Sequence, residues 1–185
     1  MKKSFGAKPY IYPMPVLIIA SYDDAGVPDA MNAAWGSAAD MDRIAIYVSK
    51  EHKTMDNILS RKAFTVSMAD AKNVVEADYV GLVSGKNVEN KLERCSWHTV
   101  KSENVDAPLI EELPMALECE FISFDPETEL LVGKIVNVVA DESILTEGSI
   151  DPEKLHPICY DPVNHRYYEL GKQVGNAFSD GKKIK

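Results

Sequence analysis

Two long segments of alternating apolar and polar residues constrain the fold more than any other feature. Residues 113–124 (LPMALECEFISF) and 130–140 (LLVGKIVNVVA) flank the acidic, proline-containing stretch Asp125–Glu129. Alternation with period two indicates strands, and a short Asp/Pro-containing stretch between two such runs indicates a hairpin. Antiparallel strands of this length are typical of a barrel, so we expect a fold built mainly from β-strands.

Shorter segments add strands and a few helices. β-branched or alternating runs predict strands at 15–22, 28–34, 43–49, 63–68, 158–160 and 167–170, and helical spacing predicts helices at 54–59, 72–82 and one turn at 90–94. Hairpin-linked strands with inserted helices indicate an antiparallel β-barrel with short helices rather than alternating β-α-β units. The length of 185 residues suits one domain, 1–185. Neither the Rossmann nor the P-loop glycine motif is present, so a bound nucleotide would need another architecture.

Charge and cysteine content exclude several classes of protein. There are 29 acidic and 20 basic residues, a net charge of −9 that repels nucleic acid and anionic lipid. No apolar run reaches the roughly eighteen residues of a membrane helix, and no signal-peptide core follows the start, so we expect a cytoplasmic protein with no membrane partner. Three cysteines lie far apart without ligand spacing to histidine, so we expect reduced thiols and no metal.

A basic stretch at a helix start is the most informative local feature. Ser49, Lys50, His52, Lys53 and Thr54 lie between a predicted strand and the first turn of a predicted helix. Acidic residues normally occupy that turn because the N–H groups there are free and the helix dipole is positive. Crowded cations favour a phosphate bound on the helix end. The alternative is that the lysines are solvated and Thr54 is only an N-cap.

Three further segments are candidate ligand contacts, each with a plainer interpretation. The loop after the second helix contains Ser84, Gly85 and Lys91, which could meet an anion, although such loops commonly mark only a helix stop. Small residues surround Trp35 in the stretch 31–40, where a flat ligand could approach the backbone, or Trp35 could simply fill a barrel end. Phe178 lies close to a glycine near the C-terminus. It could contact a ligand, or it could only anchor the C-terminal tail to the rest of the protein.

The order and separation of these segments resemble the FMN-binding split-barrel proteins of the flavin reductase-like family, in particular its flavoredoxin-type members. The residues that carry the resemblance are PMPV at 13–16, NAAWG at 32–36, SKEHKT at 49–54 with Asn57-Ile58, DYVG at 78–81 leading into Ser84-Gly85, and PMALEC at 114–119. Each block alone is weakly specific, but together they cover nearly the whole chain.

The resemblance implies a Greek-key split β-barrel that forms a homodimer and binds FMN non-covalently near the subunit interface. The isoalloxazine ring would lie along the 32–35 segment, the phosphate would be held at the helix start, and the phenylalanine would contact the ring or the interface. The cofactor-binding residues implied are Asn32, Ala33, Ala34, Trp35, Ser49, His52, Lys53, Thr54, Ser84, Gly85, Lys91 and Phe178. No catalytic acid or base is implied for the hydride step, because the flavin carries the redox chemistry.

Three functional hypotheses follow. The favoured one is an FMN-dependent oxidoreductase that passes electrons from NADH, NADPH or a protein donor to an unidentified acceptor. The second is an electron carrier between proteins, with little NAD(P)H turnover. The third is a split barrel that binds another ligand such as haem, or none, although no histidine lies in an apolar segment suited to an axial ligand. His98, His156 and His165 are interpreted as structural or surface residues.

Overall fold

The secondary structure is dominated by short and medium strands. A computed structural model describes residues 1–184. The strands are β1 Met14–Pro15, β2 Leu17–Tyr22, β3 Pro28–Ala33, β4 Gly36–Asp40, β5 Arg43–Tyr47, β6 Ala63–Met68, β7 Thr99–Lys101, β8 Pro108–Ile110, β9 Met115–Asp125, β10 Leu130–Ala140, β11 Leu145–Thr146, β12 Ser149–Ile150, β13 Ile158–Asp161 and β14 Arg166–Glu169. The α-helices are α1 Lys53–Arg61, α2 Val74–Leu82, α3 Lys91–Arg94 and α4 Pro152–Leu155, with 3₁₀ turns at Glu142–Ile144 and Asp180–Lys183.

A seven-stranded antiparallel sheet with the order β3-β2-β6-β9-β10-β5-β4 forms the half-barrel at the centre of the fold. Its longest pair, β9 and β10, contains register shifts next to Gly133 and next to Ile135. Such bulges bend a strand and increase its twist, which lets a sheet curl. Gly133 faces the buried ring of Phe64, and a Cβ there would collide with that ring. Because Gly133 has no side chain, the sheet can curl at this position.

Strand β2 is buried on both faces, which explains its continuous apolar sequence. Ile18 and Ala20 belong to a core cluster under α2 and α3, whereas Leu17 and Ile19 belong to a second cluster with α1 and the β9–β10 pair. Successive side chains of a strand point to opposite faces, so one strand supplies both cores. Replacing Ile19, which is fully buried, with alanine would cost about 2–5 kcal/mol.

A smaller sheet places a hairpin beside the end of β3. Strand β13 pairs with both β1 and β14, so the β13–β14 hairpin is attached to the N-terminal segment. The Tyr12 hydroxyl also donates a hydrogen bond to Asp161 in the hairpin turn. These contacts hold the aromatic residues of the hairpin opposite the segment that follows β3.

The prediction of a mainly β split barrel with short helices is confirmed, with differences at the less regular elements. The strand predicted at 43–49 ends at Tyr47, and β4, β7, β8, β11, β12 and α4 were not expected. Within residues 1–184, no helix is long and apolar enough to cross a membrane and no cluster of potential metal ligands is present. Cys95, Cys119 and Cys159 are unpaired, and burial raises the pKa of Cys119 to about 12. The cytoplasmic location stays a prediction.

Candidate functional site

Two adjoining cavities form a groove between the half-barrel, α2 and the β13–β14 hairpin. The smaller one, the helix-start cavity, has a volume of about 230 Å³ and is lined by the start of α1 and the loop after α2. The larger one, the aromatic cavity, has a volume of about 400 Å³ and is lined by the segment after β3 and by the hairpin. Both include Asn32, Gly81 and Leu82, so the cavities meet there. Volumes of this size suit a small organic ligand.

The helix-start cavity contains the uncapped beginning of α1. His52 occupies the N-cap position and makes no side-chain capping hydrogen bond, and its carbonyl accepts from Met55 and Asp56. The N–H groups at the start of a helix and the positive end of its dipole favour an anion. Lys53 lies at the same place and pairs with Asp23 at 3.2 Å. The helix start thus presents free N–H groups to the cavity, with a lysine at its edge.

A buried ion pair forms the floor of this cavity. Lys91 donates to the Ala30 carbonyl at 2.6 Å and lies 3.7 Å from Oδ1 of Asp29. Thr54 donates its hydroxyl to Oδ2 of Asp29 at 3.0 Å. Both charged side chains are 4% exposed, and burial lowers the pKa of Lys91 while the neighbouring Asp29 opposes that shift. Oδ1 of Asp29 is buried and has no hydrogen-bond donor among the described residues.

The loop after α2 closes one side of the cavity because it is tied to α1. Lys86 donates to the Glu51 carbonyl and pairs with Asp56, both at 2.8 Å. Gly85 lies against the buried carboxylate, and a Cβ there would stand 2.5 Å from Oδ1 of Asp29. A side chain at this position would push into the cavity floor, so glycine keeps the space open.

The aromatic cavity has walls from distant parts of the chain. Ala33, Ala34 and the half-exposed Trp35 form one wall. Tyr160 and Tyr167, which are direct cross-strand partners in the β13–β14 hairpin, form the opposite wall with ring centroids 6.0 Å apart. Apolar and aromatic walls of this kind favour a flat apolar ligand.

Polar groups of the aromatic cavity are already hydrogen-bonded to each other. Tyr167 donates to Asp78 on α2 at 2.7 Å, and burial together with this bond raises the pKa of Tyr167 to about 12. The Tyr160 hydroxyl lies 2.7 Å from Nδ1 of His165. His165 lies in the hairpin turn with a φ of 55°, in the left-handed region. It is exposed and lines the cavity.

The fold brings ten of the twelve sequence-predicted site residues to this groove. Asn32 lines both cavities, the other three residues of its segment line the aromatic cavity, and the remaining six line the helix-start cavity: His52, Lys53, Thr54, Ser84, Gly85 and Lys91. Ser49 lines neither cavity and donates to Glu129 at 2.9 Å. Phe178 also lines neither cavity, and its side chain is fully exposed. The roles assigned to these residues stay predictions.

Sequence reasoning missed the wall formed by the hairpin. Tyr160, His165 and Tyr167 were not candidates, and His165 was interpreted as a structural or surface residue, yet all three line the aromatic cavity with Asp78. One signal was available in the sequence. Two tyrosines and a histidine fall within eight residues around a predicted hairpin turn, and cross-strand neighbours share a face.

Comparison with known proteins agrees with this architecture. Residues 10–167 match the flavin reductase like domain. The flavoredoxin of Desulfovibrio vulgaris (Miyazaki F) is 38% identical, with a TM-score of 0.94 over 98% of this chain and 100% of that protein. A flavoredoxin from Methanosarcina acetivorans is 26% identical, with a TM-score of 0.90 over the full length of both chains. An uncharacterised protein of Halalkalibacterium halodurans is 26% identical over 91% of this chain and 85% of its own length.

The matched residues cover most of the chain, and they include both walls of the groove. The chain therefore belongs to the flavin reductase like domain family. Within that family it is similar to flavoredoxins along its whole fold.

Proposed function

We propose that this protein binds FMN non-covalently in the groove and acts as an oxidoreductase that passes electrons through the flavin to an acceptor. One observation carries the proposal. The uncapped, lysine-flanked start of α1 is continuous, through Asn32 and Gly81, with a cavity between apolar and aromatic walls. An anion site joined to a slot for a planar ring matches the two ends of FMN. A solved structure at 20% identity, described as an FMN-binding domain from Shewanella baltica, shares the fold.

The groove residues fit the parts of this cofactor. The N–H groups at the start of α1 would receive the phosphate, with Lys53 beside it. Asn32 and the backbone of Ala33 and Ala34 would border the ring. A local anion site explains how a chain with a net charge of −9 can bind a phosphate.

Bound flavin would supply hydride or single-electron transfer, and the protein would supply orientation and electrostatics. NADH, NADPH or a protein donor would reduce it. Lys91 lines the helix-start cavity, so its charge, which it shares with Asp29, would lie toward the phosphate end of the cofactor.

The likeness to flavoredoxins favours a second candidate function, an electron carrier between proteins with little NAD(P)H turnover. Steady-state oxidation of NADH and NADPH separates the two functions. An oxidoreductase using nicotinamide turns over, whereas a carrier stays near background and is still reduced by dithionite.

We include a homodimer in the proposal because apolar side chains of both terminal segments lack contacts within one chain. Phe178 and Val174 are fully exposed in the C-terminal segment, and Ile11 is 63% exposed in the N-terminal one. A second copy that covers these residues would remove this apolar surface from water. Sedimentation equilibrium tests the stoichiometry directly.

The visible absorption spectrum of the purified protein is the first test of the cofactor. We expect flavin bands that bleach reversibly with dithionite, and release of FMN on heating, identified by chromatography. A colourless protein that also fails to bind added FMN would refute the proposed function.

A further inference from the structure

The hairpin wall of the aromatic cavity contains a hydrogen-bonded pair that cofactor binding does not require. Tyr160 and His165 both line the cavity, and the tyrosine hydroxyl lies 2.7 Å from Nδ1 of the histidine. Tyr160 is partly buried while His165 is exposed at the mouth. A phenol inside a cavity, linked through an imidazole to solvent, is the arrangement of a proton relay.

The cavity lining also restricts what else can enter it. Its apolar and aromatic residues include Val16, Trp35 and Leu82, and its lining contains no lysine or arginine. The one carboxylate, Asp78, already accepts from Tyr167. Such a lining favours a flat, uncharged molecule over an anionic one.

We propose that Tyr160 and His165 donate a proton to an uncharged, quinone-type carbonyl acceptor that binds in the aromatic cavity between the flavin ring and the hairpin wall. This inference rests on the proposed function, because the electrons come from reduced flavin in the same groove. The acceptor takes two electrons and one proton as a hydride equivalent from the flavin. Its second proton comes from the Tyr160 hydroxyl. The Tyr160 oxygen then regains a proton from Nδ1 of protonated His165, which is reprotonated by solvent.

The charges around this pair define how its activity depends on pH. The His165 ring must be protonated to pass a proton on, so transfer should be faster at low pH than at high pH. The ionisable groups that face the pair belong to the hairpin, to α2 and to the N-terminal segment, and they are Tyr167, Asp161, Asp78 and Tyr12. Asp161 accepts a hydrogen bond from the Tyr12 hydroxyl, and Asp78 accepts one from the Tyr167 hydroxyl.

Two acceptors with different proton requirements test the proposal. Holoprotein reduced anaerobically with dithionite is mixed in a stopped-flow instrument with menadione, which takes up protons, or with ferricyanide, which takes up none. Tyr160→Phe is expected to slow menadione reduction about 100-fold, the lower end of the usual effect of a general acid. Its reaction with ferricyanide is expected to stay within about twofold of the wild type, as a step without proton transfer does not use this acid.

Control variants separate proton donation from a structural role. Tyr168→Phe alters the neighbouring residue of β14, which is exposed and does not line the aromatic cavity, and should leave both rates unchanged. His165→Gln should slow only menadione and flatten its pH profile. Nitrogen-15 NMR of the four histidines gives a readout without turnover: the chemical shift of His165 Nδ1 should change in Tyr160→Phe, because that variant lacks the hydrogen bond.

Each outcome decides a different claim. Wild-type protein that does not bind FMN refutes the proposed function and, with it, the proton relay. FMN-loaded Tyr160→Phe that reduces menadione as fast as the wild type overturns the relay alone. Equal slowing with both acceptors also overturns it, because the residue would then act on the flavin or on packing.

Discussion

Alanine at Gly81 should destabilise the protein, although the same change in an exposed helix normally stabilises it. Gly81 lies near the end of α2, where Gly→Ala ordinarily gains about 1 kcal/mol. Here the new Cβ would stand 2.7 Å from the Cγ, Oδ1 and Nδ2 atoms of Asn32. Asn32 donates to the Ala77 carbonyl at 2.8 Å, so it cannot move away without losing that bond.

The expected change in the free energy of unfolding is the sum of these opposing contributions. Overpacking costs about 1–3 kcal/mol and loss of the hydrogen bond about 1 kcal/mol, so after the helix-propensity gain a net loss of about 1–3 kcal/mol remains. Since Asn32 lines both cavities, FMN affinity should fall by about tenfold, equivalent to 1.4 kcal/mol.

Urea unfolding of the apoprotein and FMN titration measure these two effects. Gly171→Ala is a suitable control, because its Cβ would meet nothing within 4 Å and its φ is not in the left-handed region. We expect that variant to stay within about 0.5 kcal/mol of the wild type. Gly81→Ala protein that is more stable than the wild type and binds FMN equally well would show that α2 does not pack against Asn32 as described.

Two further predictions concern charged groups. Lys91→Met should lower the free energy of unfolding by about 3–5 kcal/mol, because it leaves the buried Asp29 without its cation. Adding Asp29→Asn should restore part of this loss, as measured by urea unfolding. A loss below about 1 kcal/mol in Lys91→Met would contradict the buried pair. Tyr12→Phe should lower stability near neutral pH but not near pH 2. The Tyr12 hydroxyl is the largest of the causes, with hydrogen bonds from Asn164 and Val163, that lower the pKa of Asp161 from 3.8 to about 2. Its stabilising effect therefore exists above about pH 4 and disappears as the pH falls toward 2. Parallel acid-unfolding curves that never converge would refute this assignment.

Strands with strong apolar patterns could be predicted from the sequence, whereas strands formed by pairing alone could not. The run at β2 and the alternation at β9 and β10 are local signals with a clear period. Strand β4 has the sequence GSAAD, whose small residues have low strand propensity, and it forms because β5 pairs with it. Propensity within one segment does not contain that information.

The residues of the candidate site also divide into those that could be predicted from the sequence and those that could not. The meeting of the basic residues at the helix-start cavity could be predicted, because they are adjacent in sequence at one helix start, where their charge is unexpected. The hairpin wall could not, since Asp78 and Tyr167 are separated by 89 positions and meet only after the sheets assemble. Ser49 shows the converse: it is adjacent to the basic stretch in sequence, but its hydroxyl donates to Glu129 on the β9–β10 turn.

The most direct test of the account is a paired titration of FMN and riboflavin against the wild type and Lys53→Gln. Lys53 lines the helix-start cavity, whereas Lys50 in the same segment does not, so Lys50→Gln is a control with the same loss of charge. If the phosphate lies at the start of α1, Lys53→Gln should weaken FMN binding at least tenfold, because a hydrogen bond to a charged group contributes about 1.5–3 kcal/mol. Riboflavin binding and the control variant should be unchanged. Equal weakening of both ligands, or no weakening of FMN, would contradict the phosphate site.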